Sequence, residues 1–139
     1  MLTNNETPYV LIVEDDRDVA AYFRQVMEIA GYHTAVAANG LQALEQMFNQ
    51  PPHIVLLDLS LPGITGNDIL LILKTTPRFK SIRTVVITGF AQMANDLPLE
   101  PDLVLEKPVS PEQLTSLVER LFHYESPIPL PRFLQSVDR

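Results

Sequence analysis

The stretch that constrains this fold most is residues 53–63, which read His-Ile-Val-Leu-Leu-Asp-Leu-Ser-Leu-Pro-Gly. Four apolar residues, Ile54 to Leu57, lead into one carboxylate, Asp58, and a Pro62-Gly63 turn follows. An unbroken apolar run of this length reads as a strand covered on both faces. Such a strand belongs to a parallel sheet enclosed by helices. A charge at its carboxyl end is costly unless something there uses it. Ligands of open α/β sheets bind at the carboxyl ends of the strands. Asp58 is therefore the first candidate for chemistry.

The rest of the chain repeats this pattern. Tyr9 to Val13 is a short apolar strand ended by Glu14-Asp15-Asp16. Val19, Ala20, Phe23, Val26, Met27 and Ala30 then recur at helical spacing, and Gly31 supplies a stop. Thr34 to Ala38 reads as the second strand. Asn39-Gly40 turns into a helix expected to carry Leu41, Leu44, Met47 and Phe48 on one face, broken by Pro51-Pro52. Ile54 to Leu57 is the third strand, and a helix is expected over Gly66 to Thr76, ended by Pro77. Arg83 to Thr88 and Leu103 to Leu105 are the last two strands. Ser110-Pro111-Glu112-Gln113 has the form of a capping box with Pro at the first helical position. Leu114, Leu117, Val118, Leu121 and Phe122 follow on one face. Strands alternating with helices call for a doubly wound α/β fold. Between Thr88 and Lys107, Pro98 and Pro101 interrupt the pattern, so a short turn over about Ala91 to Asn95 is expected in place of a full helix.

The chain has 139 residues, which suits one domain. Residues 1–7 read as a flexible start and 8–124 as the domain. Pro127, Pro129 and Pro131 mark residues 125–139 as an extended, Pro-rich tail. The net charge is −7, and the ten Lys and Arg residues read as unclustered, which argues against nucleic acid as a direct partner. Cysteine is absent, so disulfides and thiolate metal sites are excluded. No secretory signal or membrane-length apolar run is visible, so a cytoplasmic protein away from the membrane is expected.

Four strand ends carry polar groups: Glu14-Asp15-Asp16, Asp58, Thr88-Gly89 and Glu106-Lys107-Pro108. In a doubly wound sheet strands one, three, four and five are neighbours on one side of the switch point, so these groups should converge. Converging carboxylates repel unless a hard divalent cation with oxygen ligands sits among them, and Mg²⁺ or Mn²⁺ suits that site. Lys107 adds a fixed positive charge and Thr88 a hydroxyl donor. Cation, ammonium and hydroxyl are what a transferring phosphoryl group needs, and a carboxylate is itself a phosphoryl acceptor. Asp16 reads instead as the cap of the first helix.

Val13-Glu14-Asp15-Asp16, Leu57 to Gly63, Val86-Ile87-Thr88-Gly89 and Glu106-Lys107-Pro108 together resemble the receiver domain of two-component response regulators. The spacings of 43 residues from Asp15 to Asp58 and 30 from Asp58 to Thr88 suit it. The resemblance implies a flavodoxin-like five-stranded parallel sheet of order 2-1-3-4-5. It implies that Asp58 accepts a phosphoryl group from a phosphohistidine on a histidine kinase or histidine phosphotransfer protein. It casts Asp15, Glu14, Asp58 and the backbone carbonyl of Ser60 as the Mg²⁺ site, Lys107 as the phosphoryl-pairing lysine before a cis Pro108, and Thr88 as the switch hydroxyl. Such a protein signals to a downstream protein target, with a homodimer as one form, and catalyses only its own phosphorylation and dephosphorylation.

Three positions depart from the pattern. Val104 stands where many receivers have an aromatic switch residue. The stretch after Thr88 is short and proline-rich, which alters the usual output face. Phe90 is expected to border the pocket and slow water attack on the acyl phosphate. Two other classes stay open: a small aspartate-based phosphohydrolase, for which Ser60 stands where a second carboxylate is usual, and an inactive receiver-shaped interaction module. His33, His53 and His123 are scattered and read as structural or surface residues.

Overall fold

The apolar runs become the strands of one sheet. A computed structural model describes residues 7–97 and 99–123. The strands are β1 (Tyr9–Val13), β2 (His33–Ala37), β3 (Ile54–Asp58), β4 (Arg83–Thr88) and β5 (Leu103–Glu106). Their order is β2-β1-β3-β4-β5 and every neighbouring pair is parallel, as the flavodoxin-like expectation requires. The helices are α1 (Arg17–Ile29), α2 (Gly40–Asn49), α3 (Gly66–Thr75) and α4 (Pro111–His123).

Successive strand residues point to opposite faces, and that period of two divides the core. Val10, Ile12, Ile54, Leu56, Val85, Ile87, Leu103 and Leu105 pack under α1 and α4. Leu11, Val13, Val55, Leu57, Val86 and Val104 pack under α2 and α3. Every residue of β3 is buried, which explains why its sequence shows no alternation.

Each helix starts and stops for a local reason. The Asp16 carboxylate accepts from the Asp18 and Val19 N–H groups at 2.9 and 3.2 Å, which caps α1, and Gly31 takes φ +100° after its end. Thr65 and Asp68 form a reciprocal capping box on α3. Ser110 Oγ accepts from the Gln113 N–H at 3.1 Å and α4 buries Leu114, Leu117 and Val118. A Cβ at Gly66 would lie 2.6 Å from the Leu59 Cα, so glycine lets α3 press against the loop that follows Asp58.

Several boundaries and faces differ from expectation. β2 begins at His33 and ends at Ala37, and β5 extends to Glu106. On α2 the buried positions are Gly40, Ala43 and Met47, while Leu41 and Phe48 are exposed. Small Ala43 lets α2 approach the sheet, with Met47 in the core and Leu44 packed against it, while Leu41 lies outside the contact line. Pro77 does not simply end α3 but opens a 3-10 turn, Pro77–Phe79, that seats Phe79 in the core 4.8 Å from the Phe48 ring. Between β4 and β5 a 3-10 turn, Ala91–Asp96, replaces a full helix, in line with the expected short turn. The basic residues are not all apart: Lys74 and Arg83 converge on Asp102 at 3.7 and 3.8 Å. The tail over 125–139 and all of the 1–7 start except Thr7 lie outside the described residues. No helix among the described residues is long and apolar enough to cross a membrane.

Candidate functional site

Strand register assembles the site. Val13 pairs with Leu57, so Glu14 and Asp58 occupy the next, adjacent positions on neighbouring strands. Glu14, Asp58 and Lys107 continue the parity of Ile12, Leu56 and Leu105, the positions that face α1 and α4. Three charged side chains from three strands therefore emerge on one side of the sheet's carboxyl edge. Thr88 has the opposite parity, shared with Val86 and Val104.

Glu14 and Asp58 are almost fully buried, at 3% and 7% exposure. Asp15 is exposed at the rim, and oxygens of Glu14, Asp15 and Asp58 lie within 4.8 Å of one another. Lys107 Nζ stands 2.8 Å from Glu14 Oε1 and 3.5 Å from Asp58 Oδ2. The Ser60 N–H donates to Asp58 Oδ1 at 3.0 Å and so orients that carboxylate, while the Asp16 N–H donates to Glu14 Oε2 at 3.2 Å.

Among the described residues, three carboxylates thus share one close ammonium. The imbalance shows in protonation. Burial pushes the Glu14 carboxyl up to about 7, and the Lys107 hydrogen bond opposes the rise without cancelling it. Burial pulls the Lys107 ammonium down, but Glu14 and Asp58 more than offset it and hold the group above its ordinary value. A cluster of hard oxygen donors short of positive charge fits Mg²⁺ or Mn²⁺.

The other expected residues are placed as follows. Thr88 is fully buried, and its hydroxyl exchanges hydrogen bonds with the Phe90 backbone, accepting from the N–H at 3.1 Å and donating to the carbonyl at 3.2 Å. The Lys107–Pro108 peptide is cis, as the resemblance implied. Val104 is buried, a member of the core cluster against which Ala94 and Leu97 pack. Phe90 is 66% exposed, and it is its backbone that bonds the Thr88 hydroxyl. His53 lies at the far end of the sheet, where its Nδ1 accepts from the Tyr9 N–H at 2.9 Å. One contact escaped the sequence: the Tyr22 hydroxyl donates to the Val109 carbonyl at 2.8 Å across 87 residues. No local signal announces a bond over that separation; only the packing of α1 beside the β5–α4 loop creates it.

Known proteins share this arrangement. The family model described as the response regulator receiver domain matches residues 10–119. The sporulation initiation phosphotransferase F of Bacillus subtilis is 36% identical over 84 residues, 60% of this chain and 66% of that protein. The polar-differentiation response regulator DivK of Brucella anthropi is 30% identical over 104 residues, 73% of this chain and 85% of that protein. The solved structure of a CheY-like response regulator receiver domain from Methylobacillus flagellatus superposes with a TM-score of 0.74 at 28% identity, covering 84% of this chain and 99% of that one. Fold, strand-end chemistry and these matches agree: the chain belongs to the response regulator receiver domain family.

Proposed function

We propose that residues 8–124 form a phospho-accepting receiver in which Asp58 takes a phosphoryl group from a phosphohistidine on a histidine kinase or histidine phosphotransfer protein. An Asp58 carboxylate oxygen attacks phosphorus, the P–O bond forms as the P–N bond breaks, and the imidazole leaves with the electron pair. Lys107, already within 3.5 Å of Asp58, pairs with the incoming phosphoryl oxygens. Thr88 exchanges its bonds to Phe90 for one to the phosphoryl group. Glu14, Asp15, Asp58 and the Ser60 carbonyl would hold Mg²⁺ or Mn²⁺. The ion's chemistry there is to offset the converging negative charge of acceptor and phosphoryl group. The observation that carries this reading is three carboxylates with oxygens within 4.8 Å of one another beside, among the described residues, a single close ammonium.

The product is a signal, not a released metabolite. Thr88 shares its face of the sheet with Val104, so its movement is felt at the Ala91–Asp96 turn. That surface, rebuilt around a valine and a short turn, is proposed to meet a downstream protein or a second copy of the chain. A net charge of −7 favours a protein over nucleic acid as that target. The cysteine-free chain suits the reducing cytoplasm. The test is incubation with a small phosphodonor. A phosphoryl mass increment that needs Mg²⁺ and vanishes in Asp58→Asn is expected. An increment that survives the substitution defeats the proposal, and sustained release of inorganic phosphate points instead to a phosphohydrolase.

A further inference from the structure

The loop that carries Lys107 is tied at two points. The Lys107 N–H donates to the Thr88 carbonyl at 2.8 Å. Two residues on, the Val109 carbonyl accepts from the Tyr22 hydroxyl at 2.8 Å. Pro108 between them has no N–H to contribute. Tyr22, Phe23, Lys107, Pro108 and Val109 line a shared open hollow of ≈ 580 Å³. The Val109 side chain is anchored in the core under α1 and α4, and the Tyr22 ring is set against Phe23 with centroids 5.5 Å apart. Helix α1 thereby connects both halves of the site. It starts directly after Glu14-Asp15-Asp16, and its second turn reaches the segment that bears the ammonium.

We propose that Tyr22 is a positioning residue for Lys107: its hydroxyl holds the Lys107-Pro108-Val109 segment against α1, so that the ammonium meets Asp58 and then the arriving phosphoryl oxygens. The inference rests on the reading of Asp58 as phosphoacceptor. Without the bond the β5–α4 loop gains freedom beside the cavity, and the ammonium spends less time over the site. The loss falls on the transfer step and not on donor capture.

The test uses the full chain with phosphoramidate and saturating Mg²⁺. Tyr22→Phe, which removes one oxygen, is expected to lower the saturated rate about fivefold, the worth of one neutral hydrogen bond, with half-saturation by donor unchanged. In a Lys107→Ala background the same substitution is expected to do nothing further, whereas a merely structural role would multiply the loss. The ¹⁵N resonance of the Lys107 ammonium is expected to move in Tyr22→Phe. An unchanged rate, a multiplied loss or an unmoved resonance overturns the proposal. If the wild-type chain takes up no phosphate, the acceptor reading fails, and the ammonium resonance still decides the tether. If Tyr22→Phe does not fold, 3-fluorotyrosine at position 22 keeps ring and hydroxyl while altering the bond, and the same resonance must respond.

Discussion

The two ends of the sheet treat charge in opposite ways. At the amino-terminal end, Asp102 meets two cations, Lys74 and Arg83, and also accepts the Thr84 N–H at 2.7 Å while its own N–H donates to the Thr84 carbonyl at 2.9 Å. One carboxylate there has more partners than it needs, and the result is a clasp that joins the start of β5 to β4. At the carboxyl end, Glu14, Asp15 and Asp58 converge on Lys107, and two of those three carboxylates are nearly inaccessible. Buried charge is tolerated where it is paired. A surplus of like charge in the same small sheet is the feature on which the proposed ligand site rests. Charge balance, more than burial, separates the paired carboxylate from the crowded ones.

Removing one carboxylate from each end gives the largest expected effects, and they are opposite in kind. Asp58→Asn is expected to abolish phosphoryl uptake and, in metal-free buffer, to raise stability by relieving repulsion with Glu14. Asp102→Ala is expected to leave uptake intact while lowering the unfolding free energy by about 1–3 kcal/mol, because the Thr84 N–H and two cations lose their acceptor. Urea unfolding and mass spectrometry on both variants measure the four quantities. If Asp102→Ala loses uptake, or Asp58→Asn destabilises the metal-free protein, the contrast between the two ends collapses.

How much of this contrast a reader of the sequence sees depends on the range of the interaction. The strands, the Asp16 cap, the Ser110 start of α4 and the short turn after Thr88 all follow from local patterns. Asp58, Asp15, Glu14 and Lys107 stand out because strand ends are few and the fold class brings them together, and Thr88 stands out at a strand end of the opposite parity. The α2 face is not legible locally: Leu41 and Phe48 look like core residues, while the contact is set by how near Ala43 allows the helix to come. The Asp102 clasp and the Tyr22 bond involve residues 18 and 87 positions apart with no periodic signal linking them. Pairwise polar contacts between distant segments exist only once the sheet is built. The Glu14–Lys107 bond is of the same kind, though both residues stand out separately.

A smaller effect comes from pH and sharpens the charge argument. Folding raises the Glu14 carboxyl to about 7, so the folded state favours its protonated form. A raised folded value contributes stability that is complete below the group's ordinary, unfolded value near 4.5 and is lost as pH climbs through about 7. The raised Lys107 value acts above its ordinary range near 10.5 and leaves this window alone. Metal-free protein is therefore expected to lose on the order of 2–3 kcal/mol more between pH 5 and pH 8 than Glu14→Gln does. Mg²⁺ should restore stability at pH 8 and do little at pH 5, where it must displace the Glu14 proton. Denaturant midpoints across that range decide the matter. A Glu14→Gln profile parallel to wild type refutes the assignment of the buried, electron-rich end.

The smallest expected effect concerns two exposed phenylalanines, one near each end. Phe90 is 66% exposed beside Thr88, and Phe48 is 50% exposed beside Phe79. Solvent reaches both rings, so neither contributes a full core's worth of burial. Their neighbours differ: Phe48 leans on a packed ring, whereas the Phe90 backbone holds the Thr88 hydroxyl, proposed above to turn toward Asp58. Phe90→Ala is expected to shorten the lifetime of the acyl phosphate about twofold to threefold, because water gains one more approach to the acceptor. Phe48→Ala is expected to trim stability and leave that lifetime unchanged. A chase after phosphorylation, read by mass spectrometry, compares them directly. If Phe90→Ala loses phosphate no faster than wild type, the ring does not shield the site.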